Sequence, residues 1–216
     1  MRNDSYIPGA LVLAYRLRKM GTQADLVCLV TPQITQVGRQ TLKEVFDQVV
    51  VVDEVFIHHK MAHERQDRPF LFTRFQALRL CEGGGLGLHY DKIVLLDADI
   101  MPLSHYDQLF SLPAPAGIIN EFKDHCIEEG TYGRTDGKWI WHDLYEGICP
   151  HGTAIPKGIT DRVVGDPENM GVNACLWVLK PCLVEFERIM ARLQQPETLD
   201  QIQAYKWPEM QLATAH

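Results

Sequence analysis

With 216 residues, 46% of them hydrophobic and 23% charged, the chain has the make-up of one sizeable globular core rather than of a disordered or fibrous protein. A formal net charge of −7 argues against a nucleic-acid backbone as the main partner, and no apolar run approaches the length of a membrane span. An anionic ligand would need local help from a metal, from a few Arg or Lys side chains, or from helix amino termini.

The opening M-R-N-D-S-Y-I-P-G-A lacks a basic region followed by an unbroken apolar one, so no cleavable secretory signal is expected. Asn3, Asp4 or Ser5 can cap a helix that continues through Leu11, Leu13, Leu17 and Met20, with Pro8 tolerated in its first turn and Gly21 ending it. Residues 25–31, D-L-V-C-L-V-T, read as a buried strand. Residues 40–46 have helical spacing and residues 48–52, Q-V-V-V-V, are β-branched and apolar. This alternation predicts a parallel sheet flanked by helices. His58, His59 and His63 cluster without enough companions for a zinc site and read as solvated loop residues. Residues 70–80 read as an amphipathic helix with Arg74 and Arg79 on its wetter positions. The run G-G-G-L-G at 83–87 follows a helix and precedes a strand, the reverse of a phosphate loop, and so reads as a helix stop with a flexible turn.

Residues 92–103, K-I-V-L-L-D-A-D-I-M-P-L, are the centre of the pattern. Four apolar residues predict a strand buried on both faces, and strand alternation puts Asp97 and Asp99 on one side of its carboxyl end, where open α/β sheets bind ligands. Like charges that close need compensation. Oxygen donors favour Mg2+ or Mn2+, with a diphosphate filling further positions; the plain alternative is an Asp-bearing turn after a strand. A short helix around Tyr106, Leu109 and Phe110 and a strand at 116–120 follow. Residues 121–168 lose periodicity and predict a loop or lid insertion in a single domain. Its Tyr132, Trp139, Trp141 and Tyr145 offer flat faces for a sugar or base, or for packing. Residues 175–179 restore a strand, with Asn173 just before it. Pro181 opens a helix with Leu183, Val184, Phe186, Ile189, Met190 and Leu193 on one broad face, and residues 197–204 and 207–211 start two more. The six cysteines have no C-x-x-C spacing, and Cys28 and Cys175 sit in apolar strand-like runs. Buried free thiols in a reducing, cytoplasmic compartment are expected.

Four segments in order resemble the glycogenin-like family of retaining glycosyltransferases: N-D-S-Y-I-P-G-A-L-V-L with L-V-C-L-V-T-P, then F-T-R-F-Q-A-L, V-L-L-D-A-D-I-M-P-L and G-V-N-A-C-L-W-V-L-K-P. The resemblance implies a GT-A fold, with a Rossmann-like, mostly parallel central sheet flanked by helices. It also implies transfer of a sugar from a UDP-sugar to a hydroxyl acceptor with retention at the anomeric carbon. By matching position, Asn3 and Tyr6 would contact the uridine, and Asp97 and Asp99 would hold Mn2+ (or Mg2+) on the diphosphate. Ala98 would lie near the ribose. Arg74 stands where the family has a lysine touching sugar and phosphate, with Arg68 a looser match. Asn173 would bind the donor sugar, and Glu209 and Gln211 fall around the family's Asp-Gln pair with Met210 between them.

The family normally begins with a strand ahead of the N-D-x-Y segment and takes a third metal ligand from a downstream H-x-x-G-x-x-K-type motif. Neither has a counterpart here, so a chain truncated at both ends is expected, with exposed apolar surface that predicts self-association. A non-catalytic nucleotide-sugar-binding or scaffold relative is the alternative reading. A nucleotidyltransferase is a third, for which no basic Gly-rich triphosphate loop is evident.

Overall fold

The computed structural model describes residues 1–63, 65–119, 153–167 and 171–216. Most of the expected insertion at 121–168, with its four aromatic residues, therefore lies outside the described residues. The chain divides into two compact units, Met1–Ala116 with Cys175–Ala191, and Gly117–Ala174 with Arg192–His216.

In the first unit the Asn3 side chain accepts the Ser5 N–H at 3.0 Å and starts a 3-10 turn, Asp4–Tyr6. Helix α1, Ile7–Lys19, follows with Pro8 in its first turn and buries Ala10, Leu13, Ala14 and Leu17. Strand β1 is Val27–Val30, helix α2 is Gln36–Lys43 and strand β2 is Gln48–Val51. β1 and β2 pair in parallel from Val27 opposite Gln48 to Val30 opposite Val51, as the alternation predicts. Helix α2 begins four residues earlier than its apolar spacing suggests. Thr35 caps it through Oγ1 to the Gly38 N–H at 3.0 Å, while Val37, 71% exposed, contributes nothing to the apolar pattern. Asp4 accepts both the Thr35 N–H (3.1 Å) and its hydroxyl (2.6 Å), so one carboxylate ties the amino-terminal turn to the start of α2.

Residues Arg68–Arg79 form a long 3-10 helix rather than the expected amphipathic α-helix. Pro69, Leu71, Phe72, Phe75, Gln76, Ala77 and Leu78 are all buried, so the segment is enclosed on more than one side and a single apolar stripe does not describe it. His59 also departs from expectation, being buried, with Nδ1 accepting the Met61 N–H at 3.1 Å. Strand β3, Ile93–Leu96, pairs antiparallel with strand β5, Val172–Leu179, from Ile93 opposite Leu179 to Leu96 opposite Leu176. The expectation that β3 is buried on both faces does not hold, since all four of its residues are only half-buried. A 3-10 turn, Asp107–Ser111, follows it, and Lys92 Nζ donates to the Phe110 and Leu112 carbonyls at 2.8 and 2.9 Å.

Strand β4, Ala116–Ile119, leads into the second unit. There, helix α3, Lys157–Val164, occupies a stretch that its sequence marks only as part of a loop. Helix α4, Leu183–Arg192, belongs to the first unit up to Ala191; it buries Ile189 but leaves Val184 59% exposed, so its apolar face is narrower than expected. Helices α5, Pro196–Ala204, and α6, Pro208–Ala215, complete the second unit, each with a proline in its first turn. The Tyr205 hydroxyl donates to the Val164 carbonyl at 3.3 Å, and the Val172 N–H donates to Thr214 Oγ1 at 2.8 Å. Among the described residues no helix is long and apolar enough to cross a membrane.

One acid-sensitive tie secures β1. Asp47 accepts the Leu26 N–H at 2.7 Å and meets Arg18 at 2.6 Å. The Leu26 bond, aided by Arg18 and outweighing burial, holds the Asp47 carboxyl below its usual range. A depressed folded pKa stabilises above the unfolded value and is lost as pH falls through the folded one. Asp47→Asn is therefore expected to cost about 1 kcal/mol at pH 7, discounted for partial exposure. Urea melts should show that difference shrinking below about pH 4; a gap independent of pH would remove the electrostatic account.

Candidate functional site

Strand β3 ends at Leu96, so Asp97, Ala98 and Asp99 stand on the turn beyond it and strand alternation does not set their direction. The turn nevertheless delivers both carboxylates to one place. A cavity of about 800 Å3 within the first unit is lined by Asp97, Ala98 and Asp99, by Asn3 and Tyr6 from the amino-terminal turn, and by Arg74. Six of the residues singled out from sequence thus share a single cavity.

Its electrostatics centre on Asp97. Arg74 Nη2 lies 3.3 Å from Asp97 Oδ1, and the Arg74 guanidinium carbon stands 5.5 Å from the centre of the Trp177 ring. Trp177 is itself packed on Phe75 at 5.7 Å. Arg74 is thereby enclosed, its side chain 19% exposed, and does not sit on a wet helix face as expected. Burial pushes the Asp97 carboxyl above its ordinary pKa and the charge on Asp99 pushes the same way, against the pull of Arg74 and Arg65. Asp99 is exposed.

The first turn of α1 packs directly on this turn. A Cβ placed on Gly9 would lie 2.7 Å from the Ala98 carbonyl oxygen and 3.5 Å from the Asp99 Cα, both backbone atoms that cannot swing aside. Gly9→Ala is expected to cost about 1–3 kcal/mol through overpacking and to weaken ligand binding by displacing the carboxylates. Retention of both wild-type stability and wild-type affinity would show that the contact does not position the turn.

Arg68 does not join the cavity residues. It is buried, and its Nη1 donates to the Met61 carbonyl at 3.4 Å. Arg65, paired with Asp67 at 2.7 Å, lines the cavity instead. Asn173, Glu209 and Gln211 all lie in the second unit. Asn173 is half-buried in β5, while Glu209 and Gln211 are buried in α6, with Gln211 Nε2 donating to the Asp166 carbonyl at 2.9 Å. Sequence reading missed Arg65 and Gly9. The I-P-G helix start was the available signal for Gly9, whereas Arg65 sits in a polar stretch with none.

Among the described residues no three His, Cys, Asp or Glu side chains gather as a metal site. Two carboxylates are nonetheless a fitting partial ligand set for a hard divalent cation that also takes diphosphate oxygens, because Mg2+ and Mn2+ commonly use one or two carboxylates together with substrate phosphates. The raised pKa of Asp97 marks a charge that such a cation would compensate.

No family model matches the chain. It is 28% identical over 211 residues to an uncharacterized protein of Acanthamoeba polyphaga mimivirus, an alignment covering 96% of this chain and 61% of that protein. Over 155 residues it is 37% identical to glycogenin-1 of Caenorhabditis elegans, covering 70% of this chain and 34% of the relative. Galactinol synthase 1 of Arabidopsis thaliana is 26% identical over 193 residues, covering 89% of this chain and 51% of that protein. The chain thus spans roughly a third to three-fifths of the length of these relatives. Taken with its mixed α/β architecture, these similarities to glycogenin and to galactinol synthase are consistent with a glycogenin-like glycosyltransferase, GT-A in fold type.

Proposed function

We propose that the chain binds a UDP-sugar together with Mn2+ or Mg2+ and transfers the sugar to a hydroxyl acceptor with retention. The observation that carries this reading is the single cavity uniting Asn3, Tyr6, Arg74, Asp97, Ala98 and Asp99. Asn3 and Tyr6 would hold the uracil and ribose side of the donor, with Ala98 presenting a small surface beside them. Asp97 and Asp99 would hold the cation, which when bound supplies Lewis-acid stabilisation of the departing diphosphate. Arg74, fixed by Asp97 and Trp177, would meet the negative charge that grows on that diphosphate as the bond to the anomeric carbon breaks.

Retention is accounted for by attack of the acceptor hydroxyl on the face that the diphosphate leaves. The C–O bond to the acceptor forms as the bond to UDP breaks, and the hydroxyl proton passes to a diphosphate oxygen. Asn173 would orient the donor sugar, and Glu209 and Gln211 belong to the same proposal as its remaining polar residues. A trapped glycosyl adduct on Glu209 would replace same-face attack by a two-step route. Among the described residues, the thiols of Cys28, Cys81 and Cys182 are in no disulfide, which supports the expectation of a reducing setting.

The test is calorimetric titration of UDP into the purified chain with Mn2+ and then with EDTA, followed by donor hydrolysis and transfer assays. Metal-dependent UDP binding with sugar release is the expected result. Absence of UDP binding by a demonstrably folded chain under both conditions would overturn the donor site. Binding without turnover, across varied sugars and acceptors, would reduce the protein to a nucleotide-sugar binder.

A further inference from the structure

Within the second unit, one side chain fastens the start of β5 to helix α6. Thr214 Oγ1 accepts the Val172 N–H at 2.8 Å, and the same hydroxyl donates to the Met210 carbonyl, also at 2.8 Å. The second bond reaches back four residues along the helix, so it fixes the hydroxyl and leaves its lone pairs for Val172. Val172 is the first residue of β5 and Asn173 the second. The bond therefore holds the peptide group that opens the strand, and Asn173 follows one Cα step of about 3.8 Å further on.

The glycine ahead of the strand makes this approach possible. Gly171 is buried and has a φ of 67°, in the left-handed region. A Cβ there would collide with Thr214 Oγ1 and would lie 2.8 Å from the Met210 carbonyl oxygen, a backbone atom that cannot swing aside. The sequence G-V-N thus joins a residue small enough to touch the helix, an N–H that the helix holds, and the amide side chain that follows. The same region of chain also grips the residues before this point. Gln211 Nε2 donates to the Asp166 carbonyl at 2.9 Å, and the Lys206 N–H donates to the Pro167 carbonyl at 3.2 Å. Asp166 and Pro167 on one side and Val172 on the other are all bonded to residues 206–214, and Glu209 is buried on that same helix.

We infer that Thr214 is a positioning residue for the donor sugar: through the Val172 N–H it sets where Asn173 stands relative to Glu209. This rests on the proposed donor site, in which Asn173 orients the sugar, and adds to it a residue that itself touches no substrate. The role needs a hydroxyl and not merely its volume. Thr214→Val keeps the shape but takes the acceptor from the Val172 N–H, which is then satisfied only if the backbone moves or water enters. A shift of about 1 Å at a substrate-positioning group is enough to cost about 100-fold in rate. The nucleotide half of the donor is assigned to Asn3, Tyr6, Asp97 and Asp99, all of the first unit. Damage at Thr214 should therefore separate handling of the sugar from handling of the nucleotide.

The test compares the full chain with its Thr214→Val and Thr214→Ser variants. Calorimetry with Mn2+ reads the affinities for UDP, UDP-glucose and UDP-galactose, and hydrolysis of the two sugar nucleotides gives kcat and KM. Amide hydrogen exchange at Val172 is followed without ligand. Thr214→Val is expected to speed that exchange and to lower kcat at least ~10-fold, with the UDP dissociation constant within about twofold of the parent. Thr214→Ser should restore both exchange and turnover. Parental kcat and KM in Thr214→Val would overturn the positioning role. So would a loss of UDP affinity in step with turnover, the mark of general damage to the fold. If the parent binds donors without turning them over, the gain in affinity of the UDP-sugars over UDP is compared instead, and an unchanged gain in Thr214→Val overturns the role equally. Thr214→Ala stands in should valine prevent folding. A parent that binds no UDP sinks the donor site and Thr214 with it, whereas UDP binding with an unaffected Thr214→Val sinks only the role of Thr214.

Discussion

Asp99→Ala is expected to lower sugar transfer at least ~100-fold, while leaving the melting temperature of the metal-free protein nearly unchanged because Asp99 is exposed. Asp97→Asn should lower transfer by a similar factor and move stability in the opposite direction. The Asp97 carboxyl is raised in the fold by burial and by Asp99, despite Arg74. A carboxyl whose folded pKa exceeds its unfolded value favours the protonated fold, so its ionisation works against folding. That cost grows as pH rises from the unfolded pKa and is fully present once pH exceeds the folded one. Removing the charge removes the cost. Metal-free Asp97→Asn should therefore melt higher than the parent at pH 7, with the difference vanishing in acid. Kinetics of donor hydrolysis and transfer, beside thermal melts in EDTA, check both halves. An Asp99→Ala chain with parental transfer activity would show that the two carboxylates do not form the donor site.

Gly84→Ala is expected to be the most destabilising single methyl group among the glycines of the 83–87 turn. Its Cβ would fall 2.0 Å from the Arg79 carbonyl oxygen and 2.7 Å from the Arg79 carbonyl carbon, so the turn itself must move. The turn also bonds Gly84 to Cys81 at 3.0 Å and takes Arg79 Nε onto the Gly84 carbonyl at 2.9 Å, which helps hold Arg79 over Phe186. A cost of about 3 kcal/mol is expected, at the upper end for overpacking. Gly83 has a φ of 75° with open space around it, so Gly83→Ala should cost only about 1–2 kcal/mol from the left-handed backbone. Urea denaturation of the two variants side by side measures the difference. Equal costs would mean that the turn relaxes around the added methyl.

Where a local property decided the structure, the sequence was enough to read it. Apolar, β-branched runs marked β1, β2 and β3 to within a residue or two, and the glycine run after the Arg68–Arg79 segment marked its end. The common placement of Asp97 and Asp99 was also legible, though the responsible feature is a turn rather than strand alternation. What escaped depended on contacts between distant residues. Helix α2 starts at a Thr35 cap whose partner is Asp4, more than thirty residues away. The Arg68–Arg79 segment is enclosed on several sides, so its apolar spacing imitates an amphipathic helix. Arg65 and Arg68 are three residues apart and chemically alike, yet only the first reaches the cavity, because the fold and not the residue type sets where each guanidinium goes. Gly9 matters through a backbone-to-backbone approach that leaves no trace in composition beyond the glycine itself.

The stacking of Arg74 against Trp177 gives the protein an optical reporter of its own. A guanidinium 5.5 Å from the indole ring, with Phe75 against the ring at 5.7 Å, sets the local field that an excited indole senses. An anionic ligand that draws Arg74 away from Asp97 would alter that field, shifting the emission or quantum yield of Trp177 without any attached dye. Replacing Trp177 by phenylalanine would remove that signal while retaining an aromatic face for Arg74, so fluorescence titration could follow occupancy of the carboxylate end of the cavity in real time.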